Sequence, residues 1–281
     1  MYFRSRAALA AGILTGLTNR LGDCCLLLFF GLCYYGNHAP MTASLYLLFL
    51  VAITKSAQFP FSRWLPAAIM APTPVSALVH SSTLVTAGIY LLYRFIPLSS
   101  STLLHLGIFS TIVGGAAALL EADSKKIIAL STLSQLGVMV TSLGLGQRRL
   151  SFVHLNFHAA FKALLFLCAG VVIHTLYGGQ ETRNISSFNL TSPVTSVYMT
   201  TACMSMCGLV FLSGWTSKEA ILHMTFNLGS DYFTAVIFYV GVGLTVAYSL
   251  RLLYCLGARG GRFRARASSG SVLAVVQVPL F

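Results

Sequence analysis

Residues 150–176 read LSFVHLNFHAAFKALLFLCAGVVIHTL. The run exceeds the about 20 mainly apolar residues that carry a helix across a bilayer core, yet His154, His158 and Lys162 stand inside it. At i, i+4 and i+8 they stack on one helical face, about 6 Å apart along the axis. A charge at that depth costs about 2.5–3.5 kcal/mol even on lenient insertion scales, so each such group is a functional candidate. A row of groups with neutral and charged forms, bridged by water, can pass protons in short hops. The competing reading is a pair of satisfied histidines with a lysine bonded to backbone carbonyls. A metal helix fits less well: His154 and His158 have the spacing of a zinc-protease helix, but Leu155 stands where the catalytic glutamate belongs. Haem ligation, for which His80, His105 and His174 offer further histidines, leaves Lys162 unexplained.

The rest of the chain has the same character. Of its 281 residues 56% are hydrophobic and 9% charged, with a mean hydropathy of +0.80. A soluble chain carries about a quarter charged residues, so a water-soluble enzyme is excluded and lipid is the solvent. Lys and Arg outnumber Asp and Glu by 18 to 6. They stand singly between or inside apolar runs instead of clustering on a polar face, which argues against nucleic acid. The seven cysteines lie in apolar stretches with neither a disulfide framework nor a zinc spacing. The opening residues lead into a long apolar segment without a small-residue cleavage site, so no secretory signal peptide is expected.

Eight spans are predicted, an all-α polytopic membrane bundle: 9–35, 41–59, 74–95, 101–120, 125–147, 150–176, 193–227 and 232–257. Their alternation puts Arg4, Arg6, Arg63, Lys125, Lys126, Arg183, Arg259, Arg262, Arg264 and Arg266 on one side and Arg94, Arg148 and Arg149 on the other. That bias makes the first side the inner one. The basic tail from Arg259 to Arg266 suits anionic head groups, or simply solvent. Two spans are expected to be broken. After Lys55 come Pro60, Pro66 and Pro72-Thr73-Pro74, which interrupt the second helix. The seventh span is too long for one crossing and is expected to break at Ser213-Gly214, just before Lys218-Glu219. Interrupted helices bearing an ionisable residue are a transporter feature, because unwound backbone survives in a membrane only where protein or water satisfies it.

Further ionisable groups lie at depth. Lys55 sits within the run 50–58, too deep to snorkel readily, and reads as functional over a structural salt bridge. His80 sits among Ser76, Ser81, Ser82, Thr83 and Thr86, hydroxyls that either bond the preceding turn or hold water beside it. His105 and His174 read as satisfied core histidines. Arg20 and Asp23, at i and i+3, form a structural ion pair. Lys218 and Glu219 offer either a proton exit or a helix-terminus salt bridge.

Several long motifs carry a resemblance. They are 18–23 (Thr-Asn-Arg-Leu-Gly-Asp), Lys55 through Trp64-Leu65-Pro66, 71–83 (Ala-Pro-Thr-Pro-Val-Ser-Ala-Leu-Val-His-Ser-Ser-Thr), 123–129 with Ser134-Gln135-Leu136-Gly137, 158–167 after His154, and Ser217-Lys218-Glu219. Together they closely resemble the NADH dehydrogenase subunit 5 family, the distal antiporter-like membrane subunits of respiratory complex I; the Mrp-type cation antiporters are the nearest relatives. The resemblance implies proton-translocating half-channels built from two inverted five-helix repeats. Residues 1–97 then hold three spans of the first repeat, 98–258 the five of the second, and 259–281 a basic tail. It implies that Lys55 is the lysine of the first broken helix and that His80 bridges to the centre. By the same resemblance Lys162 corresponds to the central lysine, with His154 and His158 along its path, and Lys218 with Glu219 to the exit pair. FMN, iron–sulfur clusters and ubiquinone are then expected in other subunits, with no cofactor expected in this chain. Its implied partners are membrane-arm subunits and lipids such as cardiolipin, in the mitochondrial inner membrane. Sodium/proton exchange of the Mrp kind and a non-conducting structural piece are the alternatives.

The departures from the family are two. The glutamate that pairs with the matching lysine lies upstream of the Thr-Asn-Arg-Leu-Gly-Asp segment, and no acid precedes Asp23 here. The lateral helix expected after residue 258 is also missing, and residues 268–281 are too few to span. Two explanations are open, a truncated product and a split subunit; the split form is favoured because the retained ionisable series is intact, with a second polypeptide bringing the missing helices and glutamate.

Overall fold

The computed structural model describes residues 6–34, 41–95, 100–175, 178–182, 192–227 and 232–257. Arg4, Arg183 and the basic tail 259–281 lie outside them, so the topological bias is only partly represented. The elements are α1 (Arg6–Tyr34), α2 (Met41–Lys55), a 3-10 turn (Phe61–Arg63), α3 (Trp64–Ala68), α4 (Thr73–Val75), a π-helical segment (Ser76–Thr83), α5 (Leu84–Phe95), α6 (Ser101–Leu120), α7 (Ser124–Gly144), α8 (Arg148–Thr175), α9 (Pro193–Cys207), α10 (Ser213–Asn227) and α11 (Tyr232–Gly257). Among the described residues there is no strand, only an isolated bridge between Asp123 and Glu181. The chain is thus an all-α bundle, as its hydropathy requires.

Among the described residues six helices are long and apolar enough to cross a membrane: α1, the continuous run Thr73–Phe95, α6, α7, α8 and α11. The other two expected spans are the broken ones. The second stops at Lys55, where Trp64 Nε1 reaches back 3.2 Å to the Thr54 carbonyl and satisfies one acceptor freed by the helix end. The seventh divides into α9 and α10, but five residues earlier than its Ser213-Gly214 pair suggests. Gly208, at φ +83°, terminates α9, and Ser213 opens α10. A left-handed residue just past a helix end is the usual place for glycine. Gly214 acts differently. A Cβ there would lie 1.8 Å from the Ser205 carbonyl oxygen, so its hydrogen lets the two half-helices touch.

Helix α7 is the hub. Every residue of its apolar window is buried, against 11% for α1 and 33% for α11, whose exposed leucines, phenylalanines and tyrosines face outward. Ile127, Ile128 and Leu130 of α7 join one apolar cluster with α8 and α9, while Leu133, Leu136 and Met139 join a second with α2, α3 and α5. Glycines let α6 close on it: a Cβ at Gly107 would stand 2.6 Å from Thr141 N, and one at Gly144 2.6 Å from Leu104 N. Small residues at the crossing are how membrane helices gain packing without a hydrophobic driving force. The many hydroxyls of α7 turn inward on the helix, as Ser131 does to the Ile128 carbonyl (2.7 Å) and Thr132 to Ala129 (2.6 Å).

Candidate functional site

The first broken helix brings Lys55 to Asp23. Its ammonium donates to the Asp23 carboxylate, while Arg20 stands 3.6 Å from the other carboxylate oxygen. The Arg20–Asp23 pair expected from i, i+3 spacing is present, but Asp23 also serves Lys55. Lys55 therefore has an acid within this chain, Asp23, a partner that the sequence alone assigns only to Arg20. Packing explains the meeting: Gly22 lies so close to α2 that a Cβ there would come within 2.5 Å of Thr54 Oγ1. The neighbouring Asp23 is thereby carried to the end of α2.

His80 lies in the π-helical segment, half-buried, with Nδ1 unpartnered. The wider turn shows in Thr83, whose hydroxyl donates to the carbonyl five residues back, Leu78, at 3.0 Å. This segment packs on α8, where Gly170 makes room for Thr73; a Cβ at Gly170 would sit 2.7 Å from Thr73 Oγ1. The serine- and threonine-rich run thus bonds its own preceding turns, as Ser82 does to Leu78 at 2.8 Å.

On α8 the three predicted groups are fully buried, each with 0% of its surface exposed. Lys162 donates to Ser131 Oγ and to the Ile128 carbonyl (3.3 Å), both on α7. Among the described residues no carboxylate pairs with it. His158, one turn away, meets the edge of Phe161 and has a hydrogen-bond partner at neither ring nitrogen. His154, a turn further, lies between Ser217 Oγ (Nδ1, 2.8 Å) and Gln135 Oε1 (Nε2, 3.2 Å). The stack on one face is therefore real, and it runs from α7 to the start of α10.

The second broken helix holds Lys218, 4% exposed. Its ammonium donates to the Met206 carbonyl and to Thr245 Oγ1 at 3.3 Å. Met206 is in the last turn of α9, where carbonyls lack helical partners and the helix dipole is negative. Glu219, the next residue, is exposed and shares no ion pair with Lys218. Successive helical residues point about 100° apart, so the two cannot act as one buried pair. His105 and His174 are also exposed, on α6 and α8, which corrects their reading as core histidines. All seven cysteines are free.

Three partners of these groups escape sequence reasoning, Gln135 and Ser131 on α7 and Thr245 on α11, and so does Tyr248 on α11 behind Gln135. Gln135 belongs to one of the family-like motifs, but nothing in its spacing gives it a role. Tyr248 is fully buried, its hydroxyl 3.0 Å from Ser134 Oγ and 3.4 Å from Gln135 Nε2.

The profile of the NADH:quinone oxidoreductase/Mrp antiporter transmembrane family matches residues 1–245. The chain belongs to that family. NADH-ubiquinone oxidoreductase chain 5 of Aedes aegypti is 46% identical over 272 residues, 90% of this chain and 47% of that protein. The Locusta migratoria protein of the same name is 44% identical over 272 residues, covering 90% and 48%. The chain thus spans about half the length of the curated relatives it matches. Among solved structures, an Mrp complex from Dietzia sp. DQ12-45-1b superposes with a TM-score of 0.85 at 29% identity, over 99% of this chain and 34% of that one. The archaeal membrane-bound sulfane sulfur reductase shares the fold, with a TM-score of 0.82 at 22% identity over 99% and 63%.

Proposed function

We propose that this antiporter-family chain is a proton-translocating membrane component of NADH:ubiquinone oxidoreductase in the mitochondrial inner membrane. The observation that carries the reading is the fully buried row Lys162, His158 and His154 on α8, ending at Ser217 beside Lys218 in the second broken helix. Lys162 is held by neutral oxygens, so its charge is not tied to a fixed counter-charge. His158, with both nitrogens unpartnered, is placed to take a proton from one neighbour and release it to the other. Lys55 of the first broken helix, paired with Asp23 of α1, forms the corresponding group of the first repeat, and His80 in its π turn bridges toward the centre. NADH oxidation, flavin, iron–sulfur and quinone chemistry belong to other subunits, whose movements of charge would shift protons between these groups. The family and the chain 5 relatives support this assignment over free-standing exchange.

The test is NADH-driven proton uptake in vesicles, compared with quinone reduction by the same complex. Lys162→Met is expected to abolish the uptake that this chain contributes while NADH turnover persists. Undiminished uptake would end the assignment, and sodium-dependent proton exchange without NADH would move the reading to the Mrp kind.

A further inference from the structure

A buried hydrogen-bond chain crosses from α10 through α8 and α7 to α11, and one assignment of its protons satisfies every member and gives one histidine a definite tautomer. When Ser134 Oγ donates to the Ser131 carbonyl at 2.9 Å, it accepts from Tyr248. Tyr248 therefore gives its single proton to Ser134 (3.0 Å), and its oxygen can only accept from Gln135. With Nε2 turned to Tyr248 at 3.4 Å, the Gln135 amide presents Oε1 to His154 Nε2 at 3.2 Å. An amide oxygen accepts and never donates, so in this arrangement the proton of His154 is on Nε2. Nδ1 of the neutral ring then accepts from Ser217 Oγ at 2.8 Å. Tyr248, Ser134, Gln135 and His154 are 0% exposed and Ser217 2%, so bulk water does not compete for these bonds.

We propose that Gln135 and Tyr248 clamp the Nε2 side of His154 against proton exchange, so that the ring gains and loses its mobile proton only at Nδ1, facing Ser217 at the start of α10. The Ser217 hydroxyl has a second acceptor ready, the Gly214 carbonyl at 3.4 Å. It donates to Nδ1 when the ring is neutral. When a proton arrives on Nδ1 it turns to Gly214, and its oxygen accepts from the imidazolium. Gln135 and Tyr248 are positioning residues, since neither takes the proton. The path through α8 thus has a closed side, toward α7 and α11, and an open side toward Lys218. The inference rests on His154 belonging to the relay, but the state of the ring can be read without measuring transport.

The measurement is solid-state NMR of the 15N-histidine-labelled full chain in its assembled membrane complex, with His154 assigned as the signal that His154→Gln removes. The wild-type ring is expected as the Nε2–H tautomer. Tyr248→Phe keeps the aromatic ring but frees the amide to turn, and should move the tautomer ratio toward Nδ1–H by about five- to tenfold, the weight of roughly one hydrogen bond. Gln135→Leu removes the acceptor itself and is expected to leave an Nδ1–H ring, which tests the clamp even if the Tyr248 variant does not assemble. Ser217→Ala should leave the Nε2–H ring unchanged. A wild-type Nδ1–H ring, or a ratio unmoved by both Tyr248→Phe and Gln135→Leu, overturns the clamp. If the ring is locked as described while Lys162→Met still pumps, the relay fails and the clamp stands.

Discussion

Lys162 and Lys218 are both buried ammonium groups, yet replacing each by methionine should have different structural consequences. Relief of a buried charge is common to the two, so it cancels in their comparison. What remains is the fate of the acceptors. At Lys162 nothing is orphaned: Ser131 Oγ keeps its bond to the Ile128 carbonyl at 2.7 Å, and that carbonyl lies inside α7. At Lys218 the Met206 carbonyl loses the ammonium that satisfies it, in the last turn of α9 where no helical N–H follows. An unsatisfied buried carbonyl costs about 1–3 kcal/mol, and loss of a cation at a helix C-terminus adds about 1 kcal/mol. Lys218→Met should therefore be less stable than Lys162→Met by about 2–4 kcal/mol. At about 2–4 °C per kcal/mol for a chain of this size, the thermal midpoints should differ by about 4–16 °C, with Lys162→Met at or above wild type. Unfolding of the purified complex, followed by intrinsic fluorescence, reads the order. Coincident midpoints, or the reverse order, would refute the assignment of Lys218 as the cap of α9.

Gly214→Ala should prevent the two half-helices from meeting, because its methyl would lie 1.8 Å from the Ser205 carbonyl; a loss of at least about 3 kcal/mol is expected. Gly243, where a Cβ meets nothing within 4 Å, is the control and should tolerate alanine with its midpoint held or raised. Asp23→Asn removes the carboxylate from Lys55. Because the two side chains are 38% and 19% exposed, the cost should be about 1–2 kcal/mol, short of the 3–5 of a fully buried pair. A double-mutant cycle with Lys55→Met measures it, and a coupling near zero would refute the pair. Trp64→Phe should cost about 1 kcal/mol through the lost bond to the Thr54 carbonyl, seen as a lower midpoint with unchanged transport.

The spans are legible in the sequence because lipid asks little more of it than apolar length. Both broken helices are legible too, one from its prolines and the other from being too long for one crossing. The exact break in the seventh span is not, since glycine serves two purposes there: Gly208 stops a helix by its positive φ, whereas Gly214 permits a close approach, and both read alike. The stacked face of α8 follows from spacing alone. The partners across from it do not, because they depend on which face of α7 and α11 turns inward, and a helix surrounded by apolar surface carries no stripe to show it. For the same reason His105 and His174 look buried from sequence and are not. Local spacing gives Asp23 to Arg20; its reach to Lys55 depends on Gly22 bringing two helices together, a tertiary fact.

The nature of the acceptors separates the three lysines. Lys55 meets a carboxylate and is the least buried of them; Lys162 and Lys218, 0% and 4% exposed, meet hydroxyls and backbone carbonyls. Two unit charges 4 Å apart attract by about 4 kcal/mol at an effective dielectric of 20, which at depth would hold an ammonium in its charged form. A neutral hydrogen-bond acceptor contributes about 1 kcal/mol, enough to orient the amine and little enough to let its proton go. A group that must be charged and discharged in turn is better placed against dipoles than against a fixed anion. In this reading the helix break beside Lys218 is what frees a carbonyl for that use, and the hydroxyls of α7 do the same for Lys162 without a break. Introducing an acid opposite Lys162, as Ser131→Asp, should then stop transport as fully as deleting the lysine, although the amine is still present; proton uptake equal to wild type in that variant would show that release from Lys162 does not limit the relay.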